Sequence, residues 1–333
     1  MNTTPRVTVV IPVWNGADWL PACLRALAAQ SFRDFLVIMV DNGSVDNSRE
    51  LARAYPRVSV IKFERNRGFA AAVNAGIRQC SSEYVVLLNT DAQPRPDWLQ
   101  HLVHAMDAGG PEVGCLASRM LSMGNPALVD NCGDILSWQG AAAKRGHGQP
   151  ADFFGRSEEV FSACAGAALY RRSLLETLGG FDERFFAYLE DLDLGLRARM
   201  RGYRCLFVPE AEVLHQGHGS GISSARYVRL VTRNRLLLFL KNVPARLLLR
   251  HALSLIYGQW YFLVAYRRPL ASLAGYCSFL ACLPHVCRAR RRTLKNIVVP
   301  LEALDRLLAK KMPEPPLREL AWNWLRRPRK KKK

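Results

Sequence analysis

The stretch Phe185-Phe186-Ala187-Tyr188-Leu189-Glu190-Asp191-Leu192-Asp193 places three carboxylates directly behind an apolar run. An apolar wall beside a carboxylate raises its pKa toward the range of a general base. Read as the start of a helix, the segment points Asp191 and Asp193 in different directions. One acid then faces a reacting group, while the other caps the helix or pairs with Arg197, four residues beyond Asp193. Crowding three acids there is costly unless the helix dipole or cations compensate. Two further acids close apolar runs: Asp41 in Val40-Asp41-Asn42-Gly43-Ser44 and Asp91 in Leu88-Asn89-Thr90-Asp91. Asp41 suits hydrogen bonds from a nucleobase N–H or a ribose hydroxyl, and Asp91 suits a hard divalent cation shared with phosphate oxygens. Taken alone, each also reads as a turn or helix cap. Asn66-Arg67-Gly68 brings an Arg and a Gly to a helix start, a combination fit for a diphosphate. His215, in His215-Gln216-Gly217, is either a structural histidine or the completing ligand of a metal site.

The elements that must position these groups follow from periodicity. Residues 7–13, 35–40, 58–63 and 84–88 are short apolar runs of the kind that form buried strands. Residues 18–30, 46–55 and 70–80 carry helical spacing, the first with Asp18 as N-cap and Pro21 in its opening turn. Strand and helix in alternation imply an α/β, doubly wound, mainly parallel sheet with helices on both faces. In such sheets ligands sit beyond the carboxyl ends of the strands, where Asp41 and Asp91 both stand. Residues 125–159 give no clear pattern. Residues 160–171 read as a strand of small side chains, and residues 190–201 as a helix stopped by Gly202. A strand is expected to end near Pro209, with His215 beyond it.

Charge divides the 333 residues in two. The formal net charge is +19, yet residues 1–220 carry 22 basic and 24 acidic side chains, whereas residues 221–333 carry 25 basic and four acidic ones. An ordinary globular composition is thus joined to a cationic, apolar C-terminal region, and collagen-like or globally disordered chains are excluded. Three parts are expected: a catalytic domain over 1–243, a helical membrane-associating region over 244–312, and a basic, disordered tail over 313–333. Nine cysteines without a Cys-x-x-Cys pair argue against a zinc site or disulfide framework. With no basic-then-apolar start before Pro5, a reducing, cytoplasmic location follows.

Taken together, the motifs resemble the family-2 inverting glycosyltransferases of GT-A fold. Val9-Val10-Ile11-Pro12-Val13-Trp14-Asn15-Gly16 and Val40-Asp41-Asn42-Gly43-Ser44 look like the family's opening. Asn66-Arg67-Gly68-Phe69, Leu88-Asn89-Thr90-Asp91, Gly179-Gly180-Phe181-Asp182-Glu183, the 186–194 segment and Arg233-Asn234-Arg235 look like its rhamnosyltransferase-type branch. The resemblance covers roughly residues 5–243. It implies that Pro12, Asn15 and Asp41 hold the nucleoside of a nucleotide sugar, with Asn66 and Arg67 near its ribose and diphosphate. Asp91 matches the last acid of the family's Asp-x-Asp motif, Asn89 standing at the first, and His215 matches a histidine that ligates metal in some relatives. The implied cofactor is Mg²⁺ or Mn²⁺. Asp191 matches the catalytic base, with Glu190 as the second choice and Asp193 supporting.

The activity so implied is transfer of a sugar, best L-rhamnose from dTDP-L-rhamnose, to a hydroxyl of a glycan or lipid-linked glycan in bacterial surface polysaccharide synthesis. UDP-GlcNAc and UDP-galactofuranose are the alternative donors. A basic nucleic-acid-binding protein is the rival from another class, but the C-terminal region lacks interleaved base-stacking aromatics, so no nucleic acid partner is expected. A Rossmann dehydrogenase would need Gly-x-Gly-x-x-Gly where Ile11-Pro12-Val13-Trp14-Asn15-Gly16 stands. The apolar runs 252–266 and 269–287, bracketed by arginines, favour in-plane helices on an anionic membrane surface over burial against the catalytic domain or a membrane span, hence a peripheral enzyme on the inner face of the cytoplasmic membrane.

Overall fold

The computed structural model describes residues 4–217, 221–317 and 319. Its first half follows the alternation of apolar runs. Strand β1 (Val7–Val13) lies between β2 (Phe35–Asp41) and β4 (Tyr84–Leu88), and β3 (Val58–Lys62) lies outside β2, all parallel. Helices α1 (Leu20–Ala28), α2 (Ser48–Arg53) and α3 (Phe69–Gln79) make the crossovers. Side chains alternate across the sheet with period two. Val9, Ile11, Val13, Met39 and Val86 pack toward α1 and α4 (Trp98–Ala108), while Val10, Ile38, Val85 and Leu87 pack toward α3. Asp18 does not cap α1. Trp19 occupies the cap position, and the N–H groups of Trp19 and Leu20 both donate to Gly16 O.

The second half completes a mixed, mainly parallel sheet of ten strands in the described residues. Strand β5 (Ala92–Pro94) follows β4, and β6 (Val113–Ser122) carries β7 (Val129–Asn131) on its rim. A hairpin of β8 (Asp134–Leu136) and β9 (Ala142–Lys144) leads to β10 (Glu158–Val160). Strand β11 (Ala167–Arg171) inserts antiparallel between β4 and β6, and α5 (Arg172–Leu178) follows it. After α6 (Glu190–Met200), β12 (Arg204–His215) runs parallel to β6 and antiparallel to β5. The expectation that this strand ends near Pro209 is corrected. Pro209 lies in a register shift between Val208 and Glu212, where its missing N–H is tolerated, and pairing resumes to His215.

Helix α7 (Ser224–Asn242) is the beam on which the C-terminal region rests. That region comprises α8 (Ala245–Arg250), α9 (Ala252–Ala265), α10 (Pro269–Leu280), α11 (Leu283–Lys295) and α12 (Leu301–Leu307). Leu136, Trp138, Phe185, Leu196, Leu237, Leu247, Phe279, Val286 and Leu304 form one shared core. A Cβ on Gly275 would come within 2.7 Å of Arg229 O, so α10 lies backbone-close on α7. Asp193, fully buried, accepts from Arg197 Nε (2.9 Å) and Asn242 Nδ2 (2.7 Å), with Lys241 Nζ at 2.6 Å. The pairing of Asp193 with Arg197, expected from spacing, is present, and the same acid also ties α6 to α7. Among the described residues no single helix is long and apolar enough to cross a membrane; α10 and α11 together are, but they bend by 62°. Of the expected tail, residues 313–317 and 319 are described, and Leu317 packs with Tyr261 and Phe262; the rest lies outside the described residues.

Candidate active site

The carboxyl ends of β1, β2 and β4 open on one edge of the sheet, and the loops that leave them build the site. Val13 and Asp41 are register partners, so the loops after β1 and β2 start side by side. Ser44 Oγ accepts from Asn15 N (3.0 Å), Asn15 Oδ1 from Val45 N (2.9 Å), and Ser48 Oγ from Gly16 N (3.0 Å). Asn15, in the left-handed region at φ 52°, therefore spends its carbonyl on joining two loops. Pro12 is half-buried at the end of β1. Asp41 is buried; Oδ1 accepts from Ser44 N (2.9 Å), and Oδ2 lies 3.1 Å from Arg49 Nε without a hydrogen-bonded partner. A buried carboxylate oxygen left in that state has capacity for one more donor.

The next loop is strung from Asn42. Its Oδ1 accepts from Arg67 N (2.8 Å), and its Nδ2 donates to Asn66 Oδ1 (3.2 Å) and Gly68 O (3.1 Å). Asn66 Oδ1 also accepts from Gly68 N (2.8 Å), so Asn66 shapes the turn into α3. Arg67 is exposed, its guanidinium 4.6 Å over the Phe63 ring and 3.8 Å from Glu183. Gly68 sits at φ 92°, and a Cβ there would strike Phe186 O at 2.5 Å.

Asp91 and His215, 124 residues apart in number, meet at the neighbouring strand ends because His215 pairs with Ala92. His215 Nε2 is 3.4 Å from Asp91 Oδ1, and both residues are buried. Behind the ring, His215 Nδ1 is 2.8 Å from Asp130 Oδ2, and Asp130 is held in turn by Lys144 Nζ at 2.8 Å. Burial pulls the His215 pKa down, but Asp130 and Asp91 outweigh it and carry it up to about 9. Asp130 is disfavoured as an anion by burial, yet His215 and Lys144 hold it down at about 2. A carboxylate on the far ring nitrogen is the arrangement that fixes a metal-ligating histidine.

The carboxylates of α6 arrive through a strained turn. Phe186, Tyr188 and Leu189 have φ of 65°, 72° and 67°, a region that costs side-chain-bearing residues of order 1–3 kcal/mol each. The turn delivers Glu190 and Asp191 to the first turn of α6. Asp191 Oδ1 accepts from Leu192 N (2.8 Å). Burial raises the Asp191 pKa above the ordinary aspartate range, against the pull of the Leu192 and Ala165 N–H groups. Ligand atoms of Asp134, Cys164 and Asp191 lie within 4.8 Å of one another. Asp134 accepts from Asn131 Nδ2 (3.1 Å) and Ser162 Oγ (2.8 Å), while burial and the Asp191 charge raise its pKa to about 8. Burial pushes the Cys164 thiol well above its usual pKa, which makes it a poor ligand for a hard cation. Glu190 is buried with Oε2 unpartnered, and burial beside Asp191 and Asp193 raises its pKa strongly.

Asp91 with His215, Asn42 with Asn66, and Asp191 with Asp134 stand at the carboxyl edge, and the Asp91 loop is joined to the loop that meets Asp191 by Asn89 N donating to Gly166 O (2.9 Å), next to Ala165, whose N–H bonds Asp191. The structure adds Asp130 and Asp134, both from a stretch without sequence pattern. Their only local signal is Asp130-Asn131-Cys132-Gly133-Asp134, an Asx turn in which Asn131 Oδ1 accepts from Gly133 N (2.6 Å).

Comparison with known proteins gives the family and the fold. The family model described as Glycosyl transferase family 2 matches residues 8–179. The N-acetylglucosaminyl-diphospho-decaprenol L-rhamnosyltransferase of Mycobacterium tuberculosis (strain ATCC 25618 / H37Rv) is 29% identical over 257 residues, covering 68% of this chain and 81% of that protein. The O-antigen biosynthesis protein RfbC of Myxococcus xanthus is 29% identical over 232 residues, or 65% of this chain. The chain spans 18% of RfbC and 25% of a second such relative, the uncharacterized protein y4gI of Sinorhizobium fredii. Among solved structures, S. aureus TarS 1-349 in complex with UDP-GlcNAc superposes with a TM-score of 0.53 at 18% identity, over 91% of this chain and 84% of that one. GalNAc-T7 with UDP, GalNAc and Mn²⁺ gives a TM-score of 0.55 at 16% identity, over 70% and 48%. The shared fold is that of the GT-A glycosyltransferases.

Proposed function

We propose, from the premise that this chain belongs to glycosyl transferase family 2, that it transfers a sugar from a nucleotide donor to a hydroxyl with inversion. The observation that carries the reading is the meeting of Asp91, His215 and Asp130 at the same sheet edge that receives Asp191. In the reaction Asp191 takes the proton of the acceptor hydroxyl while its oxygen attacks the anomeric carbon. The bond to the nucleoside diphosphate breaks on the opposite side, and the configuration inverts. Asp41 holds the nucleoside beside Pro12, on the loop that Asn15 secures, and Asn66 and Arg67 flank the ribose and diphosphate. The donor set of Asp91 and His215, with Asp130 fixing the ring, fits Mg²⁺ or Mn²⁺, which when bound supplies Lewis acidity to the leaving diphosphate.

L-rhamnose from dTDP-L-rhamnose is the preferred donor, supported by the mycobacterial rhamnosyltransferase relative; UDP-GlcNAc and UDP-galactofuranose follow. That relative's name also supports a lipid-linked glycan acceptor, and RfbC a role in surface polysaccharide synthesis. A peripheral position on the inner face of the cytoplasmic membrane fits the exposed side of the C-terminal helices. On α9, Leu253, Ile256, Tyr257 and Trp260 point outward at helical spacing, while Gly258, Tyr261 and Phe262 are buried. The test of the whole reading is a screen of nucleotide sugars for nucleoside diphosphate release, with and without EDTA. Release that no sugar elicits would overturn it.

Two results are expected from single variants. Asp41→Ala raises the donor KM far more than it lowers kcat, the mark of uniform binding; unchanged calorimetric affinity for the nucleoside diphosphate would make Asp41 a turn residue only. Asp130→Asn weakens the divalent cation about 10–100-fold, measured by Mn²⁺ titration of product release. Because His215 is held protonated up to about pH 9, cation binding displaces a proton, so apparent affinity rises with pH toward that value.

A further inference from the structure

We propose that Asn234, backed by Arg233, is the positioning residue that holds the turn before α6 in its strained shape and so aims the Asp191 carboxylate. The proposal rests on the glycosyl-transfer reading for the role of Asp191. Asn234 is fully buried on α7, and its Nδ2 reaches Phe185 O (2.9 Å), Ala187 O (2.9 Å) and Tyr188 O (2.7 Å). Three carbonyls converging on one atom require that atom to be a donor. Arg233 fixes the amide the same way round, its Nε donating to Asn234 Oδ1 (2.9 Å) while its Nη2 donates to Phe185 O (2.7 Å).

The carbonyls of the turn are fully accounted for. Phe185, Ala187 and Tyr188 use theirs on α7, Phe186 O accepts from Ala70 N (3.3 Å) on α3, and Leu189 O accepts from Asp193 N (3.0 Å) inside α6. The turn therefore touches the Asn66–Gly68 loop on one side and carries Glu190 and Asp191 on the other. Three side-chain-bearing residues at positive φ do not keep that conformation without outside support. Helix α7 is fixed independently, by Asn242 and Lys241 on Asp193 and by α10 at Gly275. Loss of the Asn234 amide thus frees the turn and leaves the helix in place.

The test uses the full chain with Asn234→Ser and Asn234→Asp. The aspartate keeps the shape but sets an oxygen where the three carbonyls need a donor. The readouts are amide hydrogen exchange over residues 183–192, and kcat and KM with whichever nucleotide sugar the wild type turns over. Expected are faster exchange confined to that segment, kcat lower by about 10²-fold from misplacement of the base, donor KM close to wild type, and a cooperative melt at a modestly lower temperature, lowest in the aspartate variant. Unaltered exchange in the folded serine variant would overturn the clamp. Faster exchange with undiminished kcat would overturn its positioning role. Failure of the glycosyl-transfer reading shows differently: the wild type releases no nucleoside diphosphate from any sugar while the exchange difference persists.

Discussion

Substituting Asp191 by asparagine is expected to lower turnover by about 10²–10⁴-fold, the usual contribution of a general base, while calorimetric donor binding survives. The volume hardly changes, so the loss reports chemistry. The wild-type pH profile carries the same assignment. The base works only as the anion, and its pKa is raised by burial, so kcat/KM falls with acidification at a higher pH than for an ordinary aspartate. That limb disappears in the variant. Stability runs the other way. A carboxylate whose folded pKa lies above its unfolded value stabilises the fold at low pH and loses that contribution as pH rises through the folded value. Above it, the asparagine protein is therefore at least as stable as wild type, and a thermal melt separates lost catalysis from lost folding. Near-wild-type turnover would pass the role to Glu190, whose Oε2 is buried without a partner.

Asp41 and Asp91 were legible in the sequence because their signal is local: an apolar run closing on a polar residue marks the carboxyl end of a parallel strand. The Asp193–Arg197 pair was legible for the same reason, being set by helical spacing alone. Asp130 was not legible. Its partner His215 lies 85 residues on, and the two meet only because β7 and β12 flank β6. Residues 160–171 read as one strand of small side chains, but the structure confines it to β11 (Ala167–Arg171), and nothing within that segment announces that it runs antiparallel between β4 and β6. Asn15 shows a different limit. The family resemblance marked it for nucleoside contact, whereas its Oδ1 is occupied by Val45 N, so on the proposed reading it acts through the loop it secures. The strain at Phe186, Tyr188 and Leu189 has no compositional mark, since glycine, the residue that would betray positive φ, is absent there.

Replacing Leu253 and Ile256 together by glutamate is expected to release the protein from anionic vesicles, with a loss of about 10²–10⁴-fold in partitioning. Both side chains stand outward on α9, at 84% and 65% exposure, so the substitutions leave the packed face of Tyr261 and Phe262 untouched. Each such side chain buried in a bilayer surface is worth about 1.5–3 kcal/mol, and two account for the expected range. Helix α10 continues the surface with Leu270, Leu273 and Leu280 outward and Ser272, Gly275 and Phe279 inward. Arg246, Arg267, Arg268, Arg288, Arg291 and Arg292 are exposed around it, each contributing about 1 kcal/mol near an anionic lipid surface. Because α9 and α10 each bury one face on the protein, spanning would require stripping them from α7 and from the Trp138–Ala141 turn. Interfacial binding is therefore expected to resist high salt and yield to alkaline carbonate. Retention through carbonate would mean a spanning segment. Binding of the double variant that matched wild type, or salt-sensitive binding to DNA in place of vesicles, would remove the membrane from the account.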